Sequence, residues 1–351
     1  MPFGVYVHIP FCRHRCDYCA FATWADRDHL VAVYMDALAA EIGRAVAAGM
    51  PAATSVFVGG GTPTRVPAEA LAAVLGRIPL APGAEVSVEC NPDDVTVAML
   101  GTFRAAGVNR LSFGVQSMVT DVLAALGRTH DPANVVAAVD AAREVGFESF
   151  NLDLIYGAAG ETPGDWAETV RAALALEPPH VSAYGLTVEA GTPLALDPER
   201  HPDDDVQAEM YEIADELLSA AGLSTYEVSN WALPGHECRH NQLYWGQGDY
   251  LGFGCAAHSH RDGRRWWNVR APERYVDLVG EGSPAEAAAE QLDVETRRME
   301  GLQLALRTRD GVPAGSLDMT DLAGLVEVRG ERAVLTRAGR LLANEVSHRL
   351  R

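Results

Sequence analysis

Nowhere does the chain run to the roughly 18 uninterrupted apolar residues that a membrane helix needs, and it opens on a β-type run rather than on a signal-like segment. The expected setting is the cytoplasm. Basic side chains are scarce: 28 Lys and Arg stand against 48 Asp and Glu, a formal charge of −20. A nucleic acid would have to be drawn in against that field, so none is expected as a partner. Cysteine is sparse as well, 6 in 351 residues, and three of them are concentrated between positions 12 and 19. That usage fits a reducing compartment in which Cys90, Cys238 and Cys255 stay thiols, with disulfides among those three as the alternative. What is plentiful is ordinary: 48% hydrophobic and 22% charged residues make a globular chain, long enough for one α/β barrel plus an appended unit.

The stretch Cys12-Arg-His-Arg-Cys16-Asp-Tyr-Cys19 places three thiolates within eight residues, directly after the strand-like Gly4-Val-Tyr-Val-His8. Such a loop can wrap one small inorganic object. No fourth cysteine follows nearby, since Phe21 stands two places on, so one corner of a four-iron cluster would stay open to a chelating ligand. A zinc loop with His14 as fourth ligand, or thiols grouped by chance, are the alternatives.

Downstream, strands and helices alternate. Residues 28–48 carry Leu30, Val33, Tyr34, Leu38 and Ile42 near helical spacing, and Ser55-Val-Phe-Val58 runs into Gly59-Gly-Gly-Thr-Pro63. The unit recurs with strands expected at 85–89, 110–114, 149–154 and 180–186 and helices at 67–76, 93–106, 119–126, 132–145 and 162–176. Alternation at this pitch means parallel βα units with right-handed crossovers, an α/β class chain forming an open or closed barrel with ligand groups at the carboxyl ends of its strands. A helix is expected at 204–221 and a strand at 224–228. Residues 230–260 show little periodicity and read as ligand-facing loop, and 294–306 reads as helix. A hairpin over 325–335 and a helix capped by Thr336 suggest a smaller helical, winged-helix-like unit. The expected division is a barrel core over 1–230, a bridge over 231–285 and a C-terminal α-rich domain over 286–351.

Glu89, Gln116, Arg128 and Asp153 all fall at or just after strand or helix ends and form a polar ring in such a barrel. Ribose hydroxyls seek carboxylate acceptors, and a carboxylate seeks the planar fork of arginine. Glycines 59 to 61 let backbone approach a ligand with no Cβ in the way, or simply make a tight turn.

The spacing C-x3-C-x2-C resembles the radical-SAM superfamily. With Tyr6-Val-His-Ile-Pro-Phe-Cys12, Gly59-Gly-Gly-Thr-Pro63, Phe113-Gly-Val-Gln-Ser117 and Asp153-Leu-Ile-Tyr-Gly157, the chain resembles, over nearly its whole length, the family containing oxygen-independent coproporphyrinogen III oxidase and the HemW heme chaperone. The resemblance implies a partial (β/α)6 radical-SAM barrel with a [4Fe-4S] cluster on Cys12, Cys16 and Cys19. It also implies an S-adenosyl-L-methionine (SAM) site lined by Tyr6, Tyr18, Gly60, Gly61, Thr62, Glu89, Gln116, Arg128 and Asp153. The oxidase branch resembles Cys-x3-Cys-x2-Cys-x-Cys with an N-terminal extension, whereas here position 21 is Phe and five residues precede Tyr6. His240-Asn-Gln-Leu-Tyr244-Trp245 matches the H-N-x-x-Y-W signature of the chaperone branch.

That signature implies heme as cargo, contacted by His240, Tyr244 and Trp245 with Cys238 as a competing axial ligand. From the residues alone His240 is equally a hydrogen-bonded loop histidine with Tyr244 and Trp245 as anchors. The partners implied are heme, heme-acceptor proteins that include ones at the membrane surface, and a reductant for the cluster. The rival is radical decarboxylation of coproporphyrinogen III in porphyrin biosynthesis. One departure is visible: Gly157 is followed by Ala-Ala-Gly-Glu161, where the family usually has Leu-Pro.

Overall fold

A computed structural model describes residues 2–351. The first half is a run of βα units: β1 (Phe3–Ile9), α1 (Val31–Ala47), β2 (Ala53–Gly60), α2 (Ala68–Leu75), β3 (Leu80–Cys90), α3 (Val97–Ala105), β4 (Arg110–Gln116), α4 (Thr120–Ala125), α5 (Pro132–Val145), β5 (Ser149–Tyr156), α6 (Pro163–Leu174) and β6 (His180–Gly185). There follow α7 (Asp204–Ala220), β7 (Ser224–Glu227), β8 (Asn230–Ala232), α8 (Arg239–Trp245), β9 (Asp249–Phe253), β10 (His258–Arg261), β11 (Arg264–Asn268), α9 (Pro272–Gly280) and β12 (Glu286–Gln291). The chain ends with α10 (Val294–Leu306), β13 (Val312–Pro313), β14 (Val326–Arg329), β15 (Arg332–Leu335), α11 (Arg337–Leu341) and α12 (Ala343–Ser347).

Twelve strands form one sheet in the order β12-β11-β10-β9-β1-β2-β3-β4-β5-β6-β8-β7. Strands β1 to β6 are parallel neighbours in sequence order, and β9 joins the far side of β1 in parallel. The two end strands do not pair, so the barrel is open, as expected of a partial (β/α)6 barrel. The strands read with period 2. Val5, Val7, Ile9, Val56, Val58, Val86, Val88, Leu111, Phe113, Leu152 and Leu154 are buried in the main apolar core, which also holds Tyr34, Leu38 and Ile42 of α1. The alternate positions turn inward, and most are polar: Ser55 stands opposite Glu85, Ser87 opposite Arg110, Glu89 opposite Ser112, Ser112 opposite Asn151, and Asn151 opposite His180. The barrel thus has an apolar shell and a hydrogen-bonded polar interior.

Three sequence expectations change. Residues 230–260 are not a ligand-facing loop: they supply β8, α8, β9 and β10, and β9 is a strand of the barrel wall paired along β1. The expected boundary at 286 falls on the first residue of β12, which is hydrogen-bonded to β11 in the large sheet. A second, smaller apolar cluster begins at Leu306 and includes Val312, Leu317, Val326, Leu335 and Val346. It lies around the three-stranded sheet β13-β15-β14. The expected last helix is broken at Leu342 into α11 and α12, with Thr336 capping α11 through the Gly339 N–H. Among the described residues no helix is long and apolar enough to cross a membrane.

Candidate functional site

The three cysteines sit on the loop that leaves β1. Pro10 cannot extend the ladder, and the chain turns away to return at Trp24, whose N–H donates to Pro10 O at 2.8 Å while Cys12 N–H donates to Trp24 O at 3.0 Å. Phe11 is fully buried against Tyr34, edge to face with centroids 5.3 Å apart, and anchors the loop. His8 Nε2 lies 2.9 Å from Ala22 O and ties the returning arm to β1. Cys12, Cys16 and Cys19 are left half-buried and reduced. Burial pushes the Cys12 thiol up to about 11 and raises that of Cys19.

These thiols line a cavity of about 470 Å³ at the carboxyl ends of the strands, together with Tyr18, Gly60, Gly61, Thr62, Glu89, Gln116, Arg128 and Asp153. The glycine turn is tight because protein, on both sides, leaves no room. A Cβ on Gly61 would lie 2.8 Å from Phe11 O, and one on Gly59 would lie 2.8 Å from the Glu89 carboxylate. Gly60 has φ 113° and would collide with the His8 ring. Gly60 N–H donates to Glu89 Oε2 at 3.1 Å. Gln116 reaches the cavity from a bulge in β4 and has φ 64°, an uncommon conformation outside glycine.

Arg128 is held by four partners. Its guanidinium donates to Asn91 Oδ1 (2.8 Å), Gly114 O (2.9 Å) and His130 Nδ1 (3.2 Å), and its Nη1 lies 3.8 Å from Cys16 Sγ. His130 Nε2 meets Val115 O at 2.9 Å, which makes Nδ1 the acceptor for arginine. Asp153 accepts from Ser112 Oγ at 2.7 Å and Asn151 Nδ2 at 2.8 Å. Burial, with Asp153 adding repulsion, pushes the Glu89 carboxyl up to about 8, and burial raises Asp153 as well. Two buried carboxyl groups in one cavity favour a ligand that brings positive charge or hydroxyl donors.

The donor set suits a polynuclear iron–sulfur group better than a zinc ion. A structural zinc would need a fourth protein ligand beside the three sulfurs. His14 turns its Nε2 to Gly127 O at 2.7 Å. Thr23 Oγ1 is buried against the Cys12 and Cys19 thiols with no other partner, and Thr62 Oγ1 stands 3.7 Å from Cys12 Sγ. Both hydroxyls are available to the sulfurs of a cluster. The turn after Gly157 closes by Glu161, whose Oε2 accepts from Gly157 and Ala158 N–H, so the missing Leu-Pro leaves Asp153 undisturbed.

Not every expected residue comes to this cavity. Tyr6 lies deeper in the barrel, its hydroxyl 3.0 Å from His8 Nδ1. Cys238, His240 and Tyr244 lie at the opposite, amino end of the strands. There His240 is 1% exposed, stacked on Phe57, with Nδ1 3.0 Å from Ser55 Oγ and Nε2 2.7 Å from Tyr244 Oη. Burial lowers its imidazole to about 3. Cys238 is buried beside Glu85, whose carboxylate also accepts the N–H groups of Arg239 and His240. Trp245, half-buried, closes α8. Conversely, Asn91 and Tyr184 line the cavity and went unnoticed in the sequence, although both stand at strand carboxyl ends.

Residues 6–173 match the Radical SAM superfamily. The heme chaperone HemW of Mycobacterium tuberculosis (strain ATCC 25618 / H37Rv) is 44% identical, with 98% of this chain and 94% of that protein covered. The heme chaperone HemW of Bacillus subtilis (strain 168) is 37% identical, covering 98% and 97%. Among solved structures, coproporphyrinogen III oxidase (HemN) from Escherichia coli, a radical SAM enzyme, superposes with a TM-score of 0.85 at 26% identity over 99% of this chain and 89% of that one. Similarity of this extent, joined to the cysteine loop and the polar cavity beside it, places the chain in the HemW heme chaperone family of the radical SAM superfamily.

Proposed function

We propose that the chain binds heme as cargo and passes it to acceptor proteins, with a [4Fe-4S] cluster on Cys12, Cys16 and Cys19 and SAM beside it in the mouth cavity. The observation that carries this reading is the convergence of the three thiols, the glycine turn, Glu89, Gln116, Arg128 and Asp153 on one cavity. When bound, such a cluster supplies an electron that can open the sulfonium of SAM. In the chain itself, Glu89 and Asp153 offer acceptor oxygens to an amino group and to ribose hydroxyls, and Arg128 offers a guanidinium to a carboxylate. Thr62, Tyr18 and the backbone of Gly60 and Gly61 shape the wall. Tyr6 acts through His8, which fixes the return of the cysteine loop.

For Cys238, His240, Tyr244 and Trp245, what the geometry supports is the anchoring role: both ring nitrogens of His240 are engaged, and heme ligation would require α8 to leave the barrel. The test is anaerobic titration of the reconstituted chain with heme. A Soret shift that saturates is expected; its absence would remove the chaperone reading. The resemblance in fold to the oxidase favours a second reading, decarboxylation of coproporphyrinogen III. Formation of protoporphyrinogen in step with 5′-deoxyadenosine would replace the first reading with that one.

A further inference from the structure

Heme is a flat apolar ring with two carboxylates on one edge. A site for it needs an apolar face, a cation near that edge and a way in from solvent. The stretch Cys238–Trp245 offers little way in, since Cys238 and His240 are 3% and 1% exposed. The lip of the mouth cavity offers all three. Phe21, on the returning arm of the cysteine loop, is 68% exposed, and Tyr184, at the end of β6, is 40% exposed. Both line the cavity. Tyr184 faces into the mouth from the inward side of β6, with its hydroxyl toward Ser182 and Asn230, and Phe21 stands on the cysteine loop.

Ile155 and Leu186 extend the apolar wall on the β5–β6 side. Large side chains left in water around a cavity mark a binding surface. Arg15 supplies the cation. It lies on the cysteine loop, is exposed, and donates only to Cys19 O; no carboxylate pairs with it among the described residues. Arg13 beside it is held by Asp94 at 2.8 Å. In a chain of net charge −20, an unpaired guanidinium at the lip is where an acidic ligand gains most.

We propose that the cargo heme docks at this lip, its ring against Phe21 and Tyr184 and a propionate on Arg15, above the polar floor formed by Glu89, Gln116 and Asp153. The proposal rests on the heme-chaperone reading. It is tested by anaerobic heme titration of the full reconstituted chain, followed in the Soret band, with iron and sulfide content measured on every sample. Phe21→Ala and Arg15→Glu should each weaken binding roughly tenfold, with cluster content unchanged, and Phe21→Trp, which keeps a flat face, should bind as the parent does. The dimethyl ester of the same heme should bind the parent and Arg15→Glu equally. A parent chain that takes up no heme sinks the chaperone reading and this site with it. A parent that binds, while Phe21→Ala and Arg15→Glu bind with unchanged affinity at full cluster content, sinks the site alone.

Discussion

At the scale of single residues, the glycine turn after β2 is the least forgiving position. A methyl group on Gly61 would press on Phe11 O and Ile9 O at 2.8 and 2.9 Å, backbone on both sides, so neither neighbour can rotate away. Gly61→Ala should cost about 2–3 kcal/mol in chemical denaturation, and it should also lower the iron retained after reconstitution, because Phe11 leads directly into Cys12. His240 is different in kind. Its two hydrogen bonds and its stacking on Phe57 are internal, so His240→Ala should destabilise the chain by about 2–4 kcal/mol and leave heme affinity unchanged in the Soret titration. A lost Soret response in a variant that still folds would return heme to α8.

At the scale of elements, one side chain of β3 gathers the start of α8 onto the barrel base. Glu85 on β3 takes the N–H groups of Arg239 and His240 and the thiol of Cys238. Glu85→Ala should cost about 2–3 kcal/mol, and hydrogen exchange should speed up over residues 238–245 while the amides of β4 keep their protection. The βα units were legible because each carries its own periodicity: helix α5 runs over 132–145 as read from its spacing, and Thr162 and Thr336 cap where the sequence placed starts. The stretch from 230 to 291 was not. Its strands are three to six residues long, two of them interrupted or bordered by glycine, and β9 finds its partner β1 about 240 residues upstream, so no local pattern announces it. Site residues at strand ends could be read from position alone. The location of His240 could not, since a histidine between Cys238 and Tyr244 looks alike whether it faces a ligand or Ser55.

At the scale of the whole molecule, the polar interior ties stability to pH from two directions. The carboxyls of Glu89, Glu161 and Glu227 are pushed up to about 8, 7 and 7, chiefly by burial. Raised carboxyls contribute stability that is full below their unfolded value near 4.5 and is lost as pH rises through 7 to 8. Buried His8, His130 and His240 are lowered to about 4, 4 and 3. Those contributions are full above the unfolded value near 6.5 and fade as pH falls below it. Thermal unfolding should therefore show a plateau between about pH 4.5 and 6.5 and a decline on either side. In Glu227→Gln the stability relative to the parent should rise by about 3 kcal/mol between pH 4.5 and 7.5; a flat difference would show that this carboxyl is not raised. The open barrel and the cysteine loop meet at the mouth, and the most direct measurement is made there. Anaerobically reconstituted chain should contain iron and sulfide in the equal amounts a [4Fe-4S] cluster demands, its reduced electron-spin resonance spectrum should change on adding SAM, and Cys12→Ala, Cys16→Ala or Cys19→Ala should each abolish both. Zinc bound without sulfide, or a cluster spectrum indifferent to SAM, would contradict it.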